Sequence, residues 1–295
     1  MPRLILLAAC CLVAAARTCD FRFTCEDSYS NANLSAYHIT TRSLWSMNGV
    51  FTGCGAGTTM EAFIERSDAS LAAELRRFVG PGGDGAAIVN GTNTTNALVI
   101  DCETPVHFQN LGSLLNKNAT AFRLFVEAVT RRVRVTRSVF PRAKLALYGT
   151  PVWLGHSSTP MGGTNASLAG YLRAGELGLY DGIDFGMPCL YYAYTSESPH
   201  HAWQIHNYTT DVLTMASLLR NSTGHPLALA PVLWYYYRDK KTLMTPAVAR
   251  EQVAQIEQFS QVASIFWWDP KHEPAVAEQW FHDVDVGNAS GCFLF

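Results

Sequence analysis

Ala97-Leu98-Val99-Ile100-Asp101-Cys102-Glu103 is a short apolar run that ends in two carboxylates with one residue between them. Such a run, bounded by polar residues, is the pattern of a parallel strand buried on both faces. The period of two along a strand aims Asp101 and Glu103 at one face and Cys102 at the other, toward helices. Upstream, a helical pattern (Phe63, Ile64, Leu71, Leu75, Phe78) runs from Met60 to Gly80-Pro81-Gly82-Gly83, where glycine and proline end it. Downstream, a long helix covers about 108–138, and Lys144 to Tyr148 is the next strand. A helix follows from about Ala166 to Glu176. Further strands are Phe185 to Tyr192, Leu227 to Tyr236 and Ala263 to Trp268, with helices near 202–220, 246–259 and 274–282.

Strand and helix alternate five times, which predicts a parallel sheet with helices outside it, because parallel strands need crossovers. A barrel and a doubly wound sheet both meet that requirement. The Gly-x-Gly-x-x-Gly turn of a dinucleotide-binding sheet is absent, and Gly53-x-Gly55-x-Gly57 lacks its spacing. The fold class read here is therefore α/β, a TIM-like (β/α) barrel. The 295 residues match one such barrel in a single domain rather than two average domains. Residues 17–58 read as an irregular N-terminal segment joining the barrel, with β-like pieces around Ala36 to Ile39 and Gly49 to Phe51. Residues 59–295 are the barrel catalytic domain.

Composition narrows the partners. With 48% hydrophobic and 16% charged residues the chain is not a low-hydrophobicity disordered protein. A net charge of −2 gives no source for the phosphate attraction that nucleic-acid binders use. Arg3, the apolar run Leu4 to Ala16 and the exit Ala14-Ala15-Ala16 stand in signal-peptide order, so residues 1–16 are expected to be a cleaved secretory leader and the protein to be secreted. No other apolar run approaches the length of a membrane span. Eight Asn-x-Ser/Thr sequons (Asn33, Asn90, Asn93, Asn118, Asn165, Asn207, Asn221, Asn288) suggest a glycoprotein. Outside the leader, Cys19, Cys25, Cys54, Cys102, Cys189 and Cys292 are expected to serve disulfides at the chain's two ends rather than a metal, since no Cys-x-x-Cys or His-Cys cluster exists. No cofactor or metal is implied.

In an α/β barrel the catalytic groups gather at the carboxyl ends of the strands. Two carboxylates side by side there repel, so one is held protonated near neutral pH, as the general acid for a leaving glycosidic oxygen must be. That reading makes Glu103 and Asp101 catalytic. The later strands end in aromatic residues: Tyr148 and Trp153; Tyr191, Tyr192 and Tyr194; Trp234 to Tyr237, before Arg238 and Asp239; Trp267 and Trp268, before Asp269. Aromatic rings at four strand ends make stacking platforms for sugar rings. Tyr148, Trp153, Trp234, Tyr236, Trp267, Trp268 and Asp269 are thus the expected substrate-binding residues. Asp181 and Asp184 lie at the amino end of their strand and read as turn residues. His200, His201 and His206 read as solvated, Arg131-Arg132-Val133-Arg134 as a solvated face, and no Gly-x-Ser-x-Gly elbow marks a serine hydrolase.

The runs Val99 to Glu103, Leu145 to Pro151, Met187 to Tyr192, Pro231 to Arg238 and Ser264 to Trp268 resemble, in order, the barrel strands of the hyaluronidases, over about residues 60–270. The resemblance implies a barrel that is distorted or has seven strands, and hydrolysis of β-linked N-acetylhexosaminides with help from the substrate's own acetamido group. It implies Glu103 as proton donor and Asp101 as the residue orienting the acetamido group. Tyr191 or Tyr192 would bond the acetamido oxygen, and Trp267 or Trp268 would floor the cleft. Cys102 stands where the family's motif has tryptophan, and Thr104-Pro105 replaces its acidic doublet. Hyaluronan is a polyanion, and Arg238 is the only basic residue near a strand end, so the mouth points to a neutral N-acetylhexosamine glycan. Two other readings fit the residues. One is a two-carboxylate glycosidase pairing Glu103 with Asp239, Asp269 or Glu197; the other is a non-catalytic glycan-binding barrel.

Overall fold

The computed structural model of the chain describes residues 22–26, 39–46, 57–79, 97–101, 106, 110–141, 143–149, 165–238, 241–267 and 274–284. Seven strands are described: β1 (Arg22–Glu26), β2 (Ile39–Ser46), β3 (Ala97–Ile100), β4 (Lys144–Tyr148), β5 (Phe185–Met187), β6 (Val232–Leu233) and β7 (Ser264–Trp267). They form one sheet in the order β5-β4-β3-β2-β1-β7-β6, and every pair is parallel. The two ends meet. Gly186 N donates to Ala228 O and Ala230 N to Gly186 O, both at 2.8 Å, while Val232 N donates to Pro188 O at 2.8 Å and Leu190 N to Val232 O at 2.9 Å. These bonds lie in parallel bridges between the β5 and β6 regions and close the ring, so the sheet is a seven-stranded, distorted TIM-like barrel with no free edge.

Two staves, β1 and β2, come from within residues 17–58, the segment that reads as irregular in sequence. β2 starts at Ile39, where one β-like piece ends, and extends to Ser46. Residues 49–51 lie outside the described residues.

Helices pack outside the ring: α1 (Met60–Glu65), α2 (Asp68–Val79), α3 (Leu111–Lys117), α4 (Ala119–Val139), α5 (Asn165–Glu176), α6 (His201–Trp203), α7 (Thr209–Ala216), α8 (Pro246–Ile256) and α9 (Pro274–Val284). A π-helical turn, Gln204–Tyr208, joins α6 to α7 without a break. In α4 the buried Phe122, Phe125, Val126, Val129 and Val133 recur every three or four residues and form one stripe facing the sheet. Asn118 caps that helix, its Oδ1 accepting from Ala121 N at 2.9 Å.

The basic run on α4 corrects the reading of it as a solvated face. Arg134 is exposed, but Arg132 is 1% exposed, its guanidinium 3.5 Å from the centre of the Phe63 ring. Arg132 donates to Ala128 O and Phe63 O, and Arg131 donates to Ile64 O and Arg66 O. Helix C-terminal carbonyls lack partners within the helix, and these two cations supply them for α1. At the amino ends of the strands, Asp184 accepts from Leu145 N and Arg137, and Asp181 accepts from Ser222 N and Oγ. Both are structural, as their position in sequence suggests.

Alternate residues of each strand go to different cores. Val99, Ala146, Tyr148, Met187, Cys189, Ala230, Val232 and Phe266 fill the inside of the barrel, with Tyr191 packed against them. Leu98, Ile100, Leu145 and Leu147 face α1, α2 and α4, while Leu190, Tyr192, Leu233, Tyr235, Ile265 and Trp267 face α7, α8 and α9. Among the described residues no helix is long and apolar enough to cross a membrane.

Candidate active site

The inward side chains at the carboxyl ends of β3 to β6 converge. Asp101 directly follows β3, two residues after the inward Val99, and is 5% exposed. Tyr148 is the last residue of β4, and its hydroxyl lies 3.1 Å from that of Tyr191. Tyr191 lies beyond the end of β5, in phase with the inward Met187 and Cys189. Its ring stacks on the buried Trp234, with centroids 4.1 Å apart and planes at 29°. Arg238, exposed, stands beyond β6 close enough to Tyr148 for the two to interact electrostatically.

Burial pushes both hydroxyls well above the usual tyrosine value. Cys189 adds to the rise in each case, and Asp101 adds to it at Tyr191, where hydrogen bonding by Tyr148 and Trp234 offsets part of it. The causes are desolvation of the charged form and nearby groups that can carry negative charge. Both phenols are therefore neutral donors throughout the physiological range. A buried carboxyl beside two protonated hydroxyls and a half-buried tyrosine ring can accept an N–H, donate to a carbonyl oxygen and stack a sugar ring.

Not every expected residue reaches this site. Tyr192 points outward, its hydroxyl 3.2 Å from Thr209 Oγ1 and its ring edge-on to Tyr208 at 6.2 Å. Trp267 is fully buried on the outer side, edge-on to Trp280 at 5.0 Å. Tyr236 packs in the same outer core, tilted against Tyr235 at 4.9 Å. The physical reason is strand alternation: of two consecutive aromatics, one must leave the barrel, so the roles expected for Tyr192 and Trp267 fall away. Tyr236 lies past the end of β6, where the chain turns to bridge with Leu243. Glu103, Trp153, Trp268, Asp269 and Asp239 lie outside the described residues. Glu197 is exposed in the loop after β5.

The structure adds two residues that were not expected at the site. Cys189 is buried inside the barrel, where it interacts with Tyr148 and Tyr191. Its spacing of two from Tyr191 was the available signal. Gln204 holds the backbone after Tyr191, and nothing in the local sequence marks it. His206 is exposed, as expected, and meets Glu251 at 3.0 Å, while the half-buried His201 has its Nδ1 2.9 Å from Tyr194 O.

No protein-family model matches the sequence, and no curated protein matches it significantly. Its fold, however, resembles that of a solved hyaluronidase barrel. Bee venom hyaluronidase in complex with a hyaluronic acid tetramer superposes with a TM-score of 0.61 at 13% identity, covering 91% of this chain and 98% of that one. The monoclinic crystal form of the same bee enzyme gives 0.58 at 13% identity, over 91% and 99%. The chain thus has a remote structural resemblance to the hyaluronidase-type glycoside hydrolases.

Proposed function

We propose that this protein is a glycoside hydrolase acting on a β-linked N-acetylhexosamine glycan. The observation that supports this most is the convergence of buried Asp101 with the neutral hydroxyls of Tyr148 and Tyr191 at the mouth of a closed barrel. In this reading Glu103, two residues along from Asp101, protonates the glycosidic oxygen as the bond to the anomeric carbon breaks. The acetamido carbonyl oxygen attacks that carbon. Asp101 accepts the acetamido N–H and raises the nucleophilicity of its oxygen, and the Tyr191 hydroxyl donates to that oxygen to hold it in line. Tyr191, half-buried and backed by the stacked Trp234, gives the sugar a ring to pack on. Water then attacks the anomeric carbon and gives its proton to Glu103, which regenerates both groups.

The aromatic mouth favours a neutral polymer over a polyanion, and the apolar leader-like run with eight sequons favours a secreted glycoprotein. The test is release of new reducing ends from chito-oligosaccharides and, separately, from hyaluronan fragments. Turnover of the former is expected, falling about 10²–10⁴-fold in Glu103→Gln with binding retained. Binding without turnover in the unaltered protein would make it a glycan-binding barrel, and near-normal turnover in Glu103→Gln would remove Glu103 from the mechanism.

A further inference from the structure

Regular pairing ends just before the residue that matters most. Beyond Leu190, whose N–H joins the β6 region, the chain from Tyr191 to Tyr194 belongs to no described strand, yet Leu190 and Tyr192 are buried and the rest is half-buried. Buried backbone groups need partners, and here side chains from outside the barrel provide most of them. Tyr208 Oη donates to Cys189 O at 3.1 Å and Gln252 Nε2 to Leu190 O at 2.7 Å. Arg238 N donates to Tyr192 O at 2.8 Å. Gln204 does the most: its Oε1 accepts from Ala193 N at 2.5 Å and from Tyr194 N at 2.8 Å, and its Nε2 donates to Tyr194 O at 2.9 Å. It is 2% exposed. Gln204 and Tyr208 are the first and last residues of the π-helical turn, a rare geometry that recurs at functional sites.

We infer that Gln204 is a positioning residue: its amide fixes the turn at Ala193-Tyr194 and thereby holds Tyr191 stacked on Trp234 with its hydroxyl on Tyr148. A glutamine suits this place because one amide supplies the acceptor for two N–H groups and the donor for one carbonyl. A leucine of similar size would remove the amide's bonds to all three groups, leaving Tyr194 O with the Nδ1 of His201, 2.9 Å away, the titratable group that faces the same carbonyl. A glutamate would still accept from both N–H groups, but its second oxygen would face Tyr194 O until protonated, when the donor returns. The kinetic consequence rests on the glycosidase reading above; the structural consequence does not.

The experiment compares Gln204→Leu and Gln204→Glu in the full chain with the unaltered protein, using a chito-oligosaccharide as substrate. Turnover is expected to fall about 10–100-fold in Gln204→Leu, as a misplacement of about 1 Å can do, with KM changed less than about threefold. The near-ultraviolet circular dichroism of the Tyr191–Trp234 stack should weaken in parallel. In Gln204→Glu, turnover relative to the unaltered protein should recover at least about fivefold between pH 8 and pH 5, because a buried carboxyl protonates within that range. A plain loss of packing would not produce that recovery. If Gln204→Leu does not fold, Gln204→Glu alone carries the test. Unchanged turnover and an unchanged aromatic signal in a folded variant would overturn the inference, as would a pH-independent defect in Gln204→Glu. If the unaltered protein shows no glycosidase activity, the circular dichroism and its pH recovery still decide whether Gln204 holds Tyr191, so failure of the two readings is distinguishable.

Discussion

The inner and outer faces of the barrel are built from the same strands and many of the same residue types, yet they do different work. Tyr191 and Tyr192 are consecutive. One meets Tyr148, Trp234 and Asp101 inside the mouth; the other is locked to Thr209 and Tyr208 in the outer core. Trp234 and Trp267 repeat the contrast, the first stacked under a site tyrosine and the second fully buried against Trp280. Aromatic content at strand ends therefore marks two things at once, the barrel mouth and a helix-packing layer, and only strand phase separates them. Inner residues are expected to govern binding and turnover, outer ones stability.

The largest effect that would break this contrast is on stability. Trp267→Ala removes a fully buried indole from the outer core and should cost about 3–5 kcal/mol, read as a lowered denaturant midpoint. Trp234→Ala, at the site, also removes a buried indole and should lower the midpoint too, but this variant alone should abolish the saturable quenching of tryptophan emission by a chito-oligosaccharide. If the two exchanged roles, the assignment of faces would be reversed.

The tyrosine pair sharpens the contrast at the level of one oxygen atom. Tyr191→Phe should lower turnover about 10–100-fold with little change in stability, while Tyr192→Phe should leave turnover intact and cost about 1 kcal/mol for the lost bond to Thr209. Both hydroxyls sit above their ordinary value through burial, so the folded state disfavours their ionisation. A pKa raised on folding contributes stability that is fully present below the unfolded value, about 10, and is lost as pH rises from there through the folded value. Urea midpoints should therefore hold steady to about pH 10 and then fall, less steeply in either phenylalanine variant. A midpoint flat beyond pH 11 would show that these hydroxyls are not buried as described.

How much of this was legible follows from the same alternation. β3 and β4 announce themselves because each holds a short apolar run, Ala97 to Ile100 and Leu145 to Tyr148, and Asp101 could be placed at the strand end because strand, period and direction were all readable. β1 and β2 were not legible as staves: Arg22-Phe23-Thr24-Cys25-Glu26 and Ile39 to Ser46 carry charges and hydroxyls, and their strand character is conferred by neighbouring strands rather than by local pattern. Tyr192 and Trp267 were misassigned because an aromatic doublet at a strand end gives no phase by itself. Arg132 was misread because its partners, Phe63 and the end of α1, are 69 residues away for the shortest of its contacts across helices. Gln204 left no trace, since an amide that satisfies three backbone groups of another loop looks like any other glutamine.

The smallest expected effect concerns salt, and it separates the two glycan classes. The mouth is lined by tyrosine and tryptophan, and the charge that Arg238 adds beside Tyr148 is exposed to solvent. An exposed charge contributes little and is screened over about 10 Å at 0.1 M salt, whereas stacking of a sugar on a ring does not depend on ionic strength. Affinity for a chito-oligosaccharide, followed by tryptophan quenching, should therefore change less than about threefold between low and physiological salt. A hyaluronan fragment, whose binding would rest on screened charge, should bind more weakly at low salt than the neutral oligomer and lose affinity more steeply. A tenfold or greater loss of chito-oligosaccharide affinity over that range would mean that charge, not ring stacking, governs the inner face, and would bring a polyanionic substrate to the front.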